Sequence, residues 1–405
     1  MADIRPFRAF RPPANLVDRI ACPPYDVVST PQARALADGK PESFLHVTRP
    51  EIDLPVGADV YSDEVYARGR ANLLQMVTEH QLVQDQEPKL YIYGQRMGEH
   101  RQVGVVACAS VAEYDQDLIL KHEKTRPDKE NDRTRHIQEL EAHDEPVFLT
   151  YRANEAIDAI VAQATAAKPV YDFISDDGVH HQLWVLDDGV TAKLVESFAA
   201  VPALYVADGH HRSAAASRVH AELLGDGAEH DAFLTVIFPH DQMNILPYNR
   251  VVRDRQERSG SELLAVLAEV GDLRMVPEPA PTDPGTFGVY VDDAWYRLTL
   301  HPSDEKRADG PVANLDCALC QDRILNPIFG ITDPRRDEHI GFVGGIHGAA
   351  ELERRVKSGD WSIALYLYPT SMVQVMAVSD AGEVMPPKST WFEPKLRSGL
   401  FVHTF

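Results

Sequence analysis

Cysteine is scarce in this 405-residue chain: Cys22, Cys108, Cys317 and Cys320 are the only four, and they are scattered. So few thiols at such spacing exclude a disulfide framework and point to a reducing compartment. Long apolar runs are missing as well. No stretch approaches the roughly 18 apolar residues of a spanning helix, and residues 1–7 have no apolar leader core. The expectation is a cytoplasmic protein. The third deficit is positive charge: Lys+Arg 40 against Asp+Glu 62 leaves a net charge of -22. That balance opposes a non-specific footprint on DNA or an anionic membrane, so neither nucleic acid nor a membrane is expected as a partner. No internal repeat is visible, and the longest biased tract is the Pro-rich run 276–284. With 44% hydrophobic and 25% charged residues, the remainder reads as an ordinary globular protein of two or three domains.

One stretch concentrates chemistry: Ala207-Asp208-Gly209-His210-His211-Arg212-Ser213. The run 201–206 before it (VPALYV) reads as a buried strand, and 213–224 after it spaces Ala216, Val219, Leu223 and Leu224 as a helix does. A strand, a polar turn and a helix place unpaired N–H groups and the positive dipole end at the turn, where an anion is favoured. Gly209 allows close backbone approach, and Arg212 suits two-point binding of phosphate or carboxylate. Asp208 suits a metal ion or a hydroxyl proton. His210 and His211 are candidates for general acid or base. A helix cap with exposed histidines is the alternative structural use.

Around this stretch the pattern alternates. A helix is expected from Ser29 or Thr30 with Pro31 in its first turn, a strand at 44–47, a helix over 59–79, and paired strands at 89–95 and 102–111 about Gly98. Strands follow at 146–151 and 180–186, helices at 153–167 and 190–200, and a doubly buried strand at 233–238 (FLTVIF). Beyond residue 250 the expectations are a helix at 260–270, a hairpin of 287–291 with 295–300 turning on two aspartates, helices at 314–325 and 350–357, and strands at 342–343, 363–368 and 373–378. Three regions result: an N-terminal α/β region 1–150, a central region 151–275 with the strand-turn-helix, and a C-terminal α/β region 276–405 that closes on the site.

Other polar concentrations supply further candidates. His122 and Glu123 could serve catalysis, with Lys124, Arg126 or Arg133 on an anion, although a mixed-charge run usually marks a solvated loop and helix face. No second histidine follows at the spacing of a zinc HExxH helix. Asn249 and Arg250 open a strand and could reach a phosphate, or Asn249 could serve the turn. Cys317 and Cys320 form a lone CxxC, better suited to a core helix than to a metal. Near the end, Lys388, Ser389, Thr390 and Lys395 sit among prolines and aromatics as a phosphate clamp or a docking tail.

Taken together, Pro23-Pro24-Tyr25-Asp26-Val27, His122-Glu123-Lys124-Thr125, the turn 207–212, Tyr248-Asn249-Arg250, and the segments 385–390 and 394–400 resemble a bacterial and archaeal family of unknown function along essentially the whole chain. The turn is also similar to the phosphate-binding turn of the ParB and sulfiredoxin superfamily, one branch of which is a free serine kinase. That resemblance implies a mixed α/β (α+β) fold, a ParB/sulfiredoxin-like phosphate-binding core with large N-terminal and C-terminal additions. It implies phosphoryl transfer, of kinase or phosphatase type, on a small hydroxylated metabolite such as serine or phosphoserine. Asp208 to Arg212 match the turn residue by residue; the kinase's catalytic glutamate has no placed counterpart. The turn N–H groups, Arg212 and Ser213 would hold the phosphoryl group, and Lys388 or Lys395 would neutralise charge. Asp208, with Mg2+, would orient the nucleophile, and His210 or His211 would move the proton. ATP or ADP is the implied nucleotide. A nucleotide-gated ParB-like switch or DNA-associated protein, and a phosphodiesterase or nuclease, are the other classes that fit. The sequence leaves the oligomeric state open.

Overall fold

The computed structural model describes residues 2–223, 229–302 and 310–405. Their contacts form two units: Met1–Met243 together with Pro394–Phe405, and Asn244–Glu393. The expected region boundary at 150 falls inside a strand, and the one at 275 at the end of another. The last twelve residues of the expected C-terminal region return to the first unit.

The first unit is built on a nine-stranded mixed sheet. Its strands are β1 (Ile4–Arg5), β2 (Tyr91–Met97), β3 (His100–Ser110), β4 (Ile119–Leu120), β5 (Val147–Tyr151), β6 (Tyr171–Ile174), β7 (His180–Val185), β8 (Leu204–Asp208) and β9 (Ala232–Pro239). Across the sheet they run β4-β8-β5-β9-β3-β2-β7-β6, with β1 added to β3. The pairs β8 with β4 and β9 with β5 are parallel, and the others are antiparallel. The mixed α/β class expected from sequence is therefore what the chain adopts. Strand β9 is buried along its whole length, as its unbroken apolar run requires. Its helices include α1 (Thr30–Ala37), α2 (Leu45–Thr48), α3 (Asp63–Thr78), α4 (Pro127–Leu140), α5 (Glu155–Thr165), α6 (Asp188–Phe198) and α7 (His210–Leu223). Ala215 and Val219 of α7 pack with Ile137 of α4, where small side chains let the two helices approach closely.

The second unit holds a six-stranded antiparallel sheet. In chain order its labelled elements are β10 (Tyr248–Val252), α8 (Gly260–Ala268), β11 (Gly271–Met275), β12 (Thr286–Val291), β13 (Ala294–Leu300), α9 (Asp316–Cys320), β14 (Ile340–Gly344), α10 (Gly348–Lys357), β15 (Ile363–Tyr366) and α11 (Met372–Asp380). The order across the sheet is β11-β13-β12-β15-β10-β14. The aspartate turn of the expected hairpin is present, with Asp292 and Asp293 at φ 48° and 58°. The Pro-rich run 276–284 lies between two strands of this one sheet.

Two local expectations fail for identifiable reasons, and a third holds with an altered geometry. Residues 44–47 are largely helical, in α2 rather than in a strand. Residues 373–378 form most of α11. Ser371 accepts from the backbone of Gln374, and the Gln374 side chain caps in return, a capping box that outweighs the strand preference of Val373, Val375 and Val378. The helix expected over 314–325 begins at Asp316 and widens to a π turn at Gln321–Leu325. No helix among the described residues is long and apolar enough to cross a membrane.

Candidate functional site at the start of helix α7

Strand β8 delivers Asp208 through an irregularity. Its register against β5 shifts between Val206 and Asp208, a bulge that re-aims the last side chain of the strand. Gly209 then turns the chain at φ 94°, a conformation that disfavours any Cβ. Helix α7 begins at once, at His210, three residues earlier than its apolar spacing indicated. The polar turn is thus a single glycine, and His210, His211 and Arg212 are the first helical turn.

That placement separates the three side chains. His210 and Arg212 are buried, and His211 is half-buried. Asp208 binds its own turn, accepting from the Gly209 N–H at 2.9 Å through Oδ1, while Lys395 Nζ donates to Oδ2 at 2.7 Å. Burial works against ionisation of Asp208, but Lys395 and Arg212 more than offset it and hold the carboxyl far below its usual range. An ionised carboxylate and a lysine therefore stand at the mouth of a 14-residue helix whose first N–H groups have no intrahelical partner.

The imidazoles divide by environment. His122 lies edge-on to His210 with ring centroids 4.4 Å apart. Burial, reinforced by His210, pushes His122 down to about 3, and burial pushes His210 down to about 4 against the pull of Asp208. Both rings are neutral at physiological pH. The Arg126 N–H donates to His211 Nε2 at 3.0 Å, which keeps that nitrogen's lone pair occupied and the proton on Nδ1. Glu123 is half-buried on the loop between β4 and α4.

Arg212 does not point outward. Its Nη1 donates to the Pro146 carbonyl, and its Nη2 reaches Asp26 Oδ2 at 3.5 Å. Burial opposes the charge, but Asp26, Glu145 and Asp208 keep the guanidinium protonated. Around it, Glu145 accepts from the Tyr25 N–H at 2.9 Å and from Ser398 Oγ at 2.6 Å, and Arg133 stacks 4.0 Å over the Tyr25 ring. His136 Nε2 lies 2.9 Å from Asp144 Oδ2. Burial raises the Glu145 carboxyl, with Arg212 counteracting. Sequence reasoning gave no role to Asp26, Asp144 or Glu145, of which only Asp26 left a signal, as part of the Pro23–Val27 segment; Arg133, expected on an anion, is buried over Tyr25 instead. Ser213 is spent on the helix, its Oγ donating to the His210 and Gly209 carbonyls at 3.1 and 3.4 Å.

The other candidates belong to the second unit. Asn249 and Arg250 are buried on β10, where Asn249 Oδ1 accepts from the Leu367 N–H at 3.1 Å and the Arg250 guanidinium stacks 4.8 Å over Phe342. Ser389 is buried, and its Oγ donates to the Pro386 carbonyl at 2.6 Å and to Cys317 Sγ at 3.1 Å. Lys388 is exposed at φ 58° with Nζ 5.4 Å over Tyr248, and Thr390 is half-buried. Both CxxC thiols are buried and free, as a core helix predicts. Burial carries Cys320 up to about 12.

Residues 4–318 match the family described as a protein of unknown function, DUF1015, and the chain belongs to that family. No curated protein sequence matches it. Solved structures similar to it include a conserved hypothetical protein from Pyrococcus furiosus, at 12% identity and TM-score 0.37 over 74% of this chain and 95% of that one. A free serine kinase mutant in complex with ADP matches at 12% identity and TM-score 0.36, over 71% of this chain and 87% of the other. SbnI with a C-terminal truncation, from Staphylococcus aureus, matches at 13% and 0.39, over 74% and 87%. Likeness at this level says nothing of activity.

Proposed function

We propose that the chain is a phosphoryl-transfer enzyme, of kinase or phosphatase type, acting on a small hydroxylated metabolite, with serine or phosphoserine the first substrates to try. The observation that carries this reading is the Asp208–Lys395 pair, 2.7 Å apart, at the start of α7. The helix end favours a phosphate, and Gly209 lets it come close. Lys395 is placed to exchange one anionic partner for two, bridging Asp208 and the transferring phosphoryl oxygens as charge builds on them. Asp208 stays ionised and so accepts a hydrogen bond from the substrate hydroxyl, orienting its oxygen toward phosphorus. In the kinase direction the new O–P bond forms as the bond to the nucleotide's leaving phosphate oxygen breaks, and the hydroxyl proton passes to a nearby base, for which His210 and Glu123 are the candidates. The choice of serine rests on the resemblance of the turn 208–212.

Each Asp208 oxygen accepts one hydrogen bond, from the Gly209 N–H or from Lys395, which leaves it lone pairs for a substrate hydroxyl and for at most a single bond to Mg2+. An ion held mainly by phosphate oxygens fits that arrangement, with Asp208 as its one carboxylate, and would supply charge neutralisation. Arg212 acts from beneath, fixing the turn rather than gripping the phosphate.

The test is a coupled assay of the full chain with serine plus ATP or ADP, and separately with phosphoserine, each with Mg2+, alongside Asp208→Asn and Lys395→Met. The expected result is transfer or hydrolysis that falls at least 100-fold in both variants while their circular dichroism is unchanged. Absence of any turnover, together with no thermal stabilisation by nucleotide, serine, phosphoserine or phosphate, refutes the reading.

A further inference from the structure

The far end of α7 carries a cluster unrelated to the chemistry at its start. His220 projects from the last turns of the helix, and His230 and Asp231 come from the short 3-10 turn Glu229–Asp231 that leads into β9. Their inner atoms converge. The two Nδ1 atoms are 3.3 Å apart, and Asp231 Oδ1 lies 3.1 Å from His220 Nδ1 and 3.8 Å from His230 Nδ1. Among the described residues this is the one group of histidine, cysteine and carboxylate side chains arranged to share an ion.

We infer that His220, His230 and Asp231 form a binding site for a divalent transition metal of the zinc type. A triangle with those sides has a point about 2.0 Å from all three atoms, the length of zinc bonds to imidazole nitrogen and carboxylate oxygen. The separations are thus those of three ligands around one ion. Two imidazoles with one carboxylate select zinc-like ions over Mg2+, which prefers an all-oxygen shell. His230 is buried against the Phe405 ring, centroids 5.9 Å apart, and His220 and Asp231 are half-buried, so the pocket has a fixed wall and an open side. Three protein ligands leave a fourth position for water. The ion would tie the end of α7 to the start of β9. Ten residues separate His220 from His210, roughly 15 Å of helix, so this site is independent of the one at Asp208.

Isothermal titration of the chelator-treated full chain with ZnCl2, and with MgCl2 for comparison, tests the inference. The expected result is one equivalent of Zn2+ bound at micromolar affinity or tighter, with Mg2+ at least 100-fold weaker. Half-exposed His220 allows a variant that keeps the core, so His220→Asn and Asp231→Asn are each expected to weaken Zn2+ at least tenfold with unchanged circular dichroism. Co2+ should give visible absorption in the native chain and lose it in His220→Asn. Asp208→Asn should leave Zn2+ binding unchanged. No tight equivalent, or one that survives both the His220 and Asp231 substitutions, overturns the inference.

Discussion

Four buried histidines make this protein sensitive to mild acid, above the range in which ordinary carboxylates protonate. His122, His143, His181 and His210 are each at least nine-tenths buried. Burial pushes the first three down to about 3 and His210 to about 4. In the unfolded chain each takes up a proton below about pH 6.5. The folded state binds those protons only near pH 3 to 4. Stability from these groups is therefore complete above pH 6.5, is lost as the pH falls below it, and levels off only at the folded values. At pH 5.5 each histidine costs about 1 kcal/mol, so together they remove roughly 4–6 kcal/mol, comparable to the whole stability of many domains. His46 opposes the trend, because Asp53 raises its pKa and its pairing strengthens as the pH drops. Near pH 5 His46 is protonated in both states and drops out. Asp316, whose carboxyl is pushed up to about 6 by burial, takes its proton in the folded state first and offsets about one, so the net proton uptake on unfolding should approach three. Urea midpoints measured in EDTA between pH 7.5 and 4.5 give that number from the slope of stability against pH. Asp208, whose carboxyl is held low, contributes only below about pH 4 and cannot imitate the effect. A flat profile down to pH 4.5, or a slope of less than one proton, would refute the argument.

Two substitutions separate the turn from its support. Gly209→Ala places a Cβ 3.2 Å from Arg212 Nε and 3.5 Å from the Val147 Cα at φ 94°; the expected loss is about 1–3 kcal/mol by urea denaturation, with phosphate stabilisation abolished. Retained phosphate binding in that variant would mean the anion does not sit at the helix start. Arg212→Ala strands Asp26 and Glu145 beside an empty volume, and it should destabilise by about 3–5 kcal/mol rather than act as a clean catalytic knock-out. A loss below 1 kcal/mol would show the buried cluster to be self-sufficient without its central cation.

Much of the strand-turn-helix was legible because its signals are local. An apolar run, a glycine between an aspartate and a histidine pair, and alanines at helical spacing specify β8, the turn and α7 within twenty residues. The start of α7 was read three residues late because His210, His211 and Arg212 are polar yet two of them are buried, and hydrophobic spacing sees only apolar residues. The same blindness hid Glu145 and the burial of Arg133, charged side chains that pack against partners far along the chain. Short segments fared worst where two local rules disagreed: in α11 the cap at Ser371 decided the outcome, and in α2 a single helical turn left no period to read. Asn249, Arg250, Lys388, Ser389 and Thr390 were read as phosphate ligands from their residue types and loop context, and they fold within the second unit.

Lys395 shows why the site needs the returning end of the chain. It is 187 positions from Asp208, so no sequence window joins them, yet its backbone is fixed at its own carbonyl and again three residues on. The Gln95 side chain donates to the Lys395 carbonyl at 2.9 Å, and Cys22 and Ser398 exchange backbone hydrogen bonds of 3.1 and 3.0 Å. Ser398 Oγ also donates to Glu145, the carboxylate that shares the buried cluster with Arg212. The lysine above Asp208 and the guanidinium below Gly209 are thus held by one connected set of polar contacts. A long lysine side chain loses substantial rotamer freedom when it is held in one place. Anchoring its backbone removes part of that ordering from the moment of binding, so an incoming phosphate meets a charge already in position. The cluster that makes Arg212 structural is what makes Lys395 and Asp208 available for chemistry.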